Sequence, residues 1–390
     1  MKSISKTTRL AALFFGIGMT LTFAVGAATI RVPQDQPTIT AGVAAAQEGD
    51  TVLVSDGTYQ EHDITITKAI TLTSVNGNAV TTIDGQGLAR VLNVNSASGN
   101  WATISGFSII NGNVGASGAG GNAILRTAGY LQISSCIFSN NYCNGGNVGS
   151  TVYVDPTKLK VTDCVLKNNN GENFAGIYGA TVVRCLLYNN GSAGANNPCV
   201  LGQCNSTNCT VYGNTGGVLG NAWTTGGMSG GTAVNCIFWG NSGHNGQQVD
   251  QTTAATITYS IVQSGFAGTG NLTTDPQFVN AASGNFNLSP NSPAIDAGDP
   301  TTPNDPDGSR ADIGALPFLY PVVGLAYAVK PTFNHLWVGT NYQLQVSTNL
   351  NGTFTNWGSV FTATNNSMVY TQYFDVANWN QLFFRLQKTP

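Results

Sequence analysis

Cys136-Ile-Phe-Ser-Asn-Asn141 is the stretch that decides the fold, because its residue types return at the same offsets down the middle of the chain. Further copies are Cys164-Val-Leu-Lys-Asn-Asn169, Cys185-Leu-Leu-Tyr-Asn-Asn190, Cys209-Thr-Val-Tyr-Gly-Asn214 and Cys236-Ile-Phe-Trp-Gly-Asn241. Phe107-Ser-Ile-Ile-Asn-Gly112 precedes them with Phe in the Cys place, and a fading copy, Ser260-Ile-Val-Gln-Ser-Gly265, follows. The first residues of these copies fall at 107, 136, 164, 185, 209, 236 and 260, so each repeat takes 21 to 29 residues. A period of that size marks a solenoid, in which each repeat buries its apolar face only by stacking on its neighbours.

With the Cys as position zero, apolar or small residues stand at minus five, minus three, zero and plus two, as in Leu131, Ile133, Cys136 and Phe138. Each pair has the period of a strand with one face buried. The parity breaks between minus three and zero, which predicts a bend at minus two and minus one. A second bend is expected at the Asn-Asn or Gly-Asn of plus four and plus five, where Asn tolerates left-handed backbone and stacked side chains can bond from coil to coil. Three short strands per coil predict a parallel β-helix. The Leu frame of a leucine-rich repeat and the four-strand blades of a propeller are both missing.

Only 8% of the residues are charged while Gly numbers 48, as expected of coils made of turns and inward strands rather than helix surfaces. A net charge of −3 supplies no basic stripe for nucleic acid, so that class of partner is excluded. Lys2, Lys6 and Arg9, the apolar Leu10–Val25 and the small residues before Ala28 read as an export signal over residues 1–27. The apolar stretch is short for a span, so no membrane span is expected in the mature protein. The mature chain is expected to be extracellular, periplasmic or on the cell surface, and monomeric.

Cys136, Cys164, Cys185, Cys209 and Cys236 share one inward column, where Cys acts as a small buried hydrophobe, and free thiols are expected there rather than disulfides. Cys204 falls at the inward minus-five place, leaving Cys143 and Cys199 in turns. Near the N-terminus, Ile39, Val43 and Ala46 follow the N-cap candidate Thr38 on one helical face, and predict a short helix that closes the open end of the solenoid. Strands are predicted at 51–54, 64–66, 70–72 and 91–94.

Pro37-Thr-Ile39, Ala44-Ala-Ala-Gln47, Gly49-Asp-Thr-Val-Leu-Val54 and Gly57-Thr-Tyr-Gln-Glu61, followed by the Cys-Asn coils, resemble the bacterial right-handed parallel β-helix proteins of the pectate-lyase-like superfamily. Asp275-Pro-Gln-Phe-Val279, Ser292-Pro-Ala-Ile-Asp-Ala-Gly298 and Asp312-Ile-Gly-Ala315 resemble the closing region known as choice-of-anchor Q. The resemblance covers residues 30–316 and implies the all-β, right-handed β-helix fold over 28–318 with its helix cap. It does not imply one chemistry, since the superfamily holds lyases, hydrolases, esterases and proteins without activity. Gly57-Thr-Tyr-Gln-Glu61 is similar to the early signature of pectin methylesterases, but that family's later motifs are missing, as are those of polygalacturonases and pectate lyases.

Asp163 and Arg184 hold the minus-one place of consecutive coils, with Lys160 close by and Asp155 and Lys158 at the preceding turn. These are the types that a lyase would use as base and as partners for a uronate, and equally those of a coil-to-coil ion pair. Asp305, Asp307 and Asp312 alternate around Gly308, with Asp296 and Asp299 before them, in the manner of a calcium loop, or else of a surface loop in which Arg310 pairs with an Asp. Calcium is the single cofactor the sequence points to.

Residues 319–390 leave the repeat. Alternation at Tyr342–Ser347, Ser367–Phe374 and Leu382–Leu386 predicts a small antiparallel β-sandwich-like module similar to the C-terminal modules of exported proteins from Planctomycetes- and Verrucomicrobia-type bacteria, for sorting, attachment or glycan contact. Trp337, Trp357, Tyr373 and Trp379 fit a sugar-stacking platform or core packing, and core packing is expected. The functional expectation is an exported β-helix that binds polysaccharide or serves the cell surface without catalysis. The alternative is a lyase on an acidic polysaccharide using Lys160, Asp163 and Arg184.

Overall fold

The computed structural model describes residues 26–390 except 115–120, 143–151, 155–157, 172–173, 193–198, 217–224, 244–247, 250–255, 321–327, 372–373, 376–380 and 390. Residues 1–25 of the expected export signal, together with Cys143, Asp155, Tyr373 and Trp379, lie outside these. The chain divides into two compact units, Met1–Leu319 and Tyr320–Pro390.

The first unit is a right-handed parallel β-helix. Sheet 1 stacks Thr29–Val32, Thr51–Val54, Thr71–Ser74, Trp101–Ser105, Tyr130–Ser134, Leu159–Thr162 and Thr181–Val183 in parallel, and continues through Asn205–Thr207 to Thr232–Val234 and Thr256–Thr258. Sheet 2 stacks the segments that follow each Cys, from Gly57–Gln60 and Thr81–Asp84 through Ile137–Ser139 to Ile261–Val262. The third side runs from Ile64–Ile66 through Leu92–Asn95, Ile124–Ala128, Val152–Val154 and Phe174–Tyr178. It merges with sheet 1 where the nine-residue strand Cys199–Thr207 rounds the corner. Cys199 therefore begins a buried strand rather than lying in the expected turn.

The corner between sheets 1 and 2 is one residue wide. The minus-two residues remain in strand, and the minus-one residues Ser135, Asp163, Arg184, Asn208 and Asn235 all have φ of 50–54°. One left-handed residue reverses the alternation of faces, so the bend is narrower than the two places expected from the parity break. At plus four, Asn140, Asn168 and Asn189 have φ of 54–55°, and Gly213 and Gly240 take the same conformation.

The plus-five Asn side chains are buried and form an amide ladder. Asn190 Nδ2 donates to Asn214 Oδ1 at 2.9 Å and to Leu166 O at 2.9 Å, while its Oδ1 accepts from Asn169 N at 3.0 Å and Asn169 Nδ2 at 2.9 Å. The pattern repeats from Asn141 to Asn241, where Gln248 Oε1 takes the place of a further Asn. Each buried amide is thus satisfied, as burial demands. The cysteine column is equally regular. Cys136, Cys164, Cys185, Cys209 and Cys236 are buried and free, Cys204 joins them at its inward place, and Ser260 Oγ extends the column by accepting from Cys236 N at 3.0 Å. Burial pushes the thiols of Cys164, Cys185 and Cys209 well up and that of Cys204 to about 12.

The predicted helix spans Ile39–Ala45, with Thr38 Oγ1 accepting from Ala41 N at 3.1 Å and Ile39 and Val43 buried against the first coils. At the other end, residues 272–318 turn back over the outer face of sheet 2, which is apolar there. Ile237 and Ile261 point outward into Leu288, Ala294 and Ile313, and Trp239 packs beside them. Phe286 meets Tyr188 and Tyr212 at ring separations of 5.0 and 5.1 Å. The region likened to choice-of-anchor Q is, physically, the cover of this second hydrophobic cluster.

The second unit holds a three-stranded antiparallel sheet of Thr355–Thr362, Asn341–Ser347 and Phe383–Thr389 around Leu344, Val346, Tyr370 and Phe374. The strand expected over 367–374 is two short pieces, Met368–Val369 and Phe374–Asp375. Trp337 is 66% exposed, with Lys388 Nζ 3.0 Å from its ring centroid, so the core role expected of it is not formed. Trp357 is also exposed, one side of it against Phe374. No helix among the described residues is long and apolar enough to cross a membrane.

Candidate functional site

Strand alternation gives sheet 1 a continuous outward column. Thr29, Thr51, Thr71, Thr103, Gln132, Lys160, Thr181, Asn205, Thr232 and Thr256 are successive register partners. Beside it runs Thr73, Ser105, Ser134, Thr162, Val183, Thr207, Val234 and Thr258. Ser105 Oγ donates to Thr73 Oγ1 at 2.8 Å, and Thr232 Oγ1 to Asn205 Oδ1 at 2.9 Å. The result is a flat hydroxyl and amide surface with rungs ~4.8 Å apart.

An aromatic step rises from this surface. Trp101 and Tyr130 are register partners with ring centroids 5.1 Å apart. Lys160 Nζ stands 4.9 Å from the Trp101 centroid, and Lys158 Nζ stands 4.1 Å from that of Tyr130. In sequence the lysines are neighbours of Asp163. Their aromatic partners, in earlier coils, emerge only from the register of the sheet.

Arg184 and Asp163 form a two-pronged pair, Nε to Oδ1 at 2.7 Å and Nη2 to Oδ2 at 2.8 Å, with both side chains about half exposed. Hydrogen bonding to Asp163 raises the Arg184 guanidinium above its already high range. Asp163 and Arg184 thus bond to each other from coil to coil, and Lys160 turns to Trp101.

Arg184 also lines a groove of about 410 Å³ between the corner of sheets 1 and 2 and the returning segment. Val183, Thr207 and Asn208 form one wall, and Thr302–Pro306 with Gly314, Ala315 and Pro317 form the other. Two minus-one asparagines hold that segment in place. Asn208 Nδ2 donates to Asp312 O at 3.2 Å, and Asn235 accepts from Asp299 N at 2.7 Å while donating to Thr302 Oγ1 at 3.2 Å. The groove brings Arg184 and Asp305, from two separate sequence candidates, to one cavity. Asp305 is pushed up by burial and by the neighbouring charges of Asp307 and Asp296.

The carboxylates expected to hold calcium are occupied by backbone. Asp312 is buried and receives Asp296 N at 2.7 Å and Phe318 N at 2.6 Å, Asp305 Oδ2 receives Asp312 N at 2.8 Å, and Asp307 Oδ1 caps Ser309. Burial pushes Asp312 up to about 6. Among the described residues no group of three or more His, Cys, Asp or Glu side chains is arranged to hold a metal ion. Arg310 Nη2 donates to Gly298 O.

No protein-family model and no curated protein sequence matches the chain. Similar solved structures include pectate lyase Pel9A, at 16% identity and a TM-score of 0.35 over 72% of this chain and 90% of that one. Two are of pectin methylesterase with bound hexasaccharides, at 12% and 11% identity and TM-scores of 0.31 and 0.29, each over 68% of this chain and 99% of the other. At such scores neither substrate nor mechanism transfers, and the β-helix follows from the strand register itself.

Proposed function

We propose that this is an exported, non-catalytic β-helix protein that binds polysaccharide along the outer face of sheet 1 and into the groove beside Arg184. The observation that carries this reading is the outward column from Thr29 to Thr256, which offers a hydroxyl or amide group on every rung but that of Lys160 to a chain lying along the helix axis. The Trp101 and Tyr130 step adds ring surface, and the groove adds a concave end with proline walls and polar corners. A lyase base must give up its proton near neutral pH, and the pairing of Arg184 with Asp163 works against that. The C-terminal unit, with Trp337 exposed, serves attachment or a second glycan contact.

The test is retardation of the mature protein in gels containing acidic or neutral polysaccharides, with absorbance of unsaturated products followed in parallel. Retardation without product is expected. Arg184→Asn, which keeps a residue suited to left-handed backbone, should weaken retardation about tenfold, the equivalent of ~1.4 kcal/mol. Unsaturated product lost in the same variant would establish the lyase instead, and silence in both assays would defeat both readings. Truncation after residue 319, read as loss of surface retention in cells, tests the attachment role.

A further inference from the structure

A second recess of about 280 Å³ lies at the opposite end of the sheet 2 strands from the Arg184 corner, where Gln86, Asn111, Asn140 and Tyr142 surround Gly87 and Gly112. Its floor is rigid. Gln86, Asn111 and Asn140 have φ of 55–57°, Gly87 N donates to Asn111 O at 2.8 Å, and Tyr142 N donates to Gly112 O at 2.8 Å. Gly112 N in turn donates to Oδ1 of Asn141, the first member of the buried amide ladder, at 2.8 Å. A Cβ on Gly112 would stand 2.1 Å from Asn122 O, so the recess is shaped by a glycine that nothing larger can replace.

The position of Tyr142 is unusual within the repeat. The plus-six residues Asn113, Tyr142, Asn170, Gly191, Thr215 and Ser242 are bridged from coil to coil, and Tyr142 alone is aromatic. It is 41% exposed and makes no ring contact among the described residues. Its exposed ring face offers an apolar surface to a ligand. The amides of Gln86 and Asn140 are exposed and have no hydrogen-bond partner among the described residues. Asn111 is held by Asp84 Oδ1 at 2.9 Å, and among the described residues no charged side chain lines the recess.

An exposed ring beside unengaged amides, without charge, fits a neutral sugar: C–H groups of a pyranose lie on the ring while its hydroxyls meet amide donors and acceptors. The geometry points to this recess as a binding site for a neutral pyranose unit of an oligosaccharide, separate from the sheet 1 surface and from the Arg184 groove. The two places would let the solenoid hold two glycan segments at once, which raises avidity without any new contact.

Saturation-transfer NMR on the whole mature protein tests this, with β-1,4-linked hexamers of glucose, mannose and galactose as probes. Transfer to at least one of the three is expected, about tenfold weaker in Tyr142→Ala and retained in Tyr142→Phe. Asn140→Asp, which keeps the left-handed bend but adds charge, should also weaken it. Thermal melting checks that each variant folds. No transfer from any probe, or undiminished transfer in Tyr142→Ala, overturns the site. Loss of the same signal in Arg184→Asn would assign it to the groove, so the recess and the proposed polysaccharide surface fail independently.

Discussion

Glu61 closes the N-terminus of the capping helix: its Oε1 accepts from Ile39 N and its Oε2 from Thr40 N, each at 2.8 Å, and Thr40 Oγ1 adds a third bond at 2.6 Å. The Glu of Gly57-Thr-Tyr-Gln-Glu61 is thus a structural anion at a helix N-terminus, where amide groups and dipole both favour it. Tyr59 in the same motif donates its hydroxyl to Ser55 O at 3.0 Å. Glu61→Ala should destabilise the protein by about 1–2 kcal/mol. Chemical denaturation measures this, and an unchanged midpoint would mean that the cap is dispensable.

The amide ladder should be the most sensitive polar element. Asn190→Leu removes the side-chain acceptor of Asn169 N and takes one bond each from Asn169 Nδ2, Leu166 O and Asn214 Oδ1 in the interior, at about 1–3 kcal/mol for each group left unpaired. Loss of soluble protein or a large fall in melting temperature is expected. One residue earlier, Asn189→Gly should be nearly silent, since Gly213 and Gly240 take that left-handed place in later coils. Equal effects from the two substitutions would contradict the ladder.

The buried thiols predict weakening in alkali. Burial pushes the Cys204 thiol up to about 12 from the ordinary 9.0, so the folded state keeps protons that the unfolded chain releases. Stability from this source is fully present below pH 9 and is lost as pH rises towards 12. Cys204→Ala should flatten the fall of the denaturation midpoint over that range. In native protein, Cys136, Cys164, Cys185, Cys204 and Cys209 should resist alkylation, read by peptide mapping.

Asp312 behaves oppositely to most carboxylates. Burial pushes it up to about 6 from the ordinary 3.8, so between these the folded state binds more protons than the unfolded one. Its contribution therefore becomes more favourable as pH falls from 6 to 3.8. Asp312→Asn removes this dependence and turns an amide donor towards Asp296 N or Phe318 N, leaving one buried donor unmet at about 1–3 kcal/mol. Melting curves across that range, compared between wild type and variant, check both the sign and the cost.

Much of the solenoid was legible because its signal repeats. The offsets of Cys136 and its copies located the inward columns, the bends and the asparagine stack, and the face containing Ile39 and Val43 located the cap. The single-residue corner was beyond reach, since Ser135, Asp163, Arg184 and Asn208 share a conformation without sharing chemistry. Thr355–Thr362 was missed as a strand because most of it is exposed on both faces and shows no alternation. Lys160 was assigned to Asp163 by closeness in sequence, whereas the sheet delivers Trp101 from two strands away. Arg184 and Asp305 were found singly, and their common groove depends on the return of residues 302–317 over sheet 2.

From minus five to plus five the coils keep one length, because both ends of that stretch are pinned, by inward side chains at one and by the amide ladder at the other. The variation of repeat length between 21 and 29 residues therefore falls in the stretch after plus five. That corner is where the chain can gain or lose sequence without disturbing its neighbours.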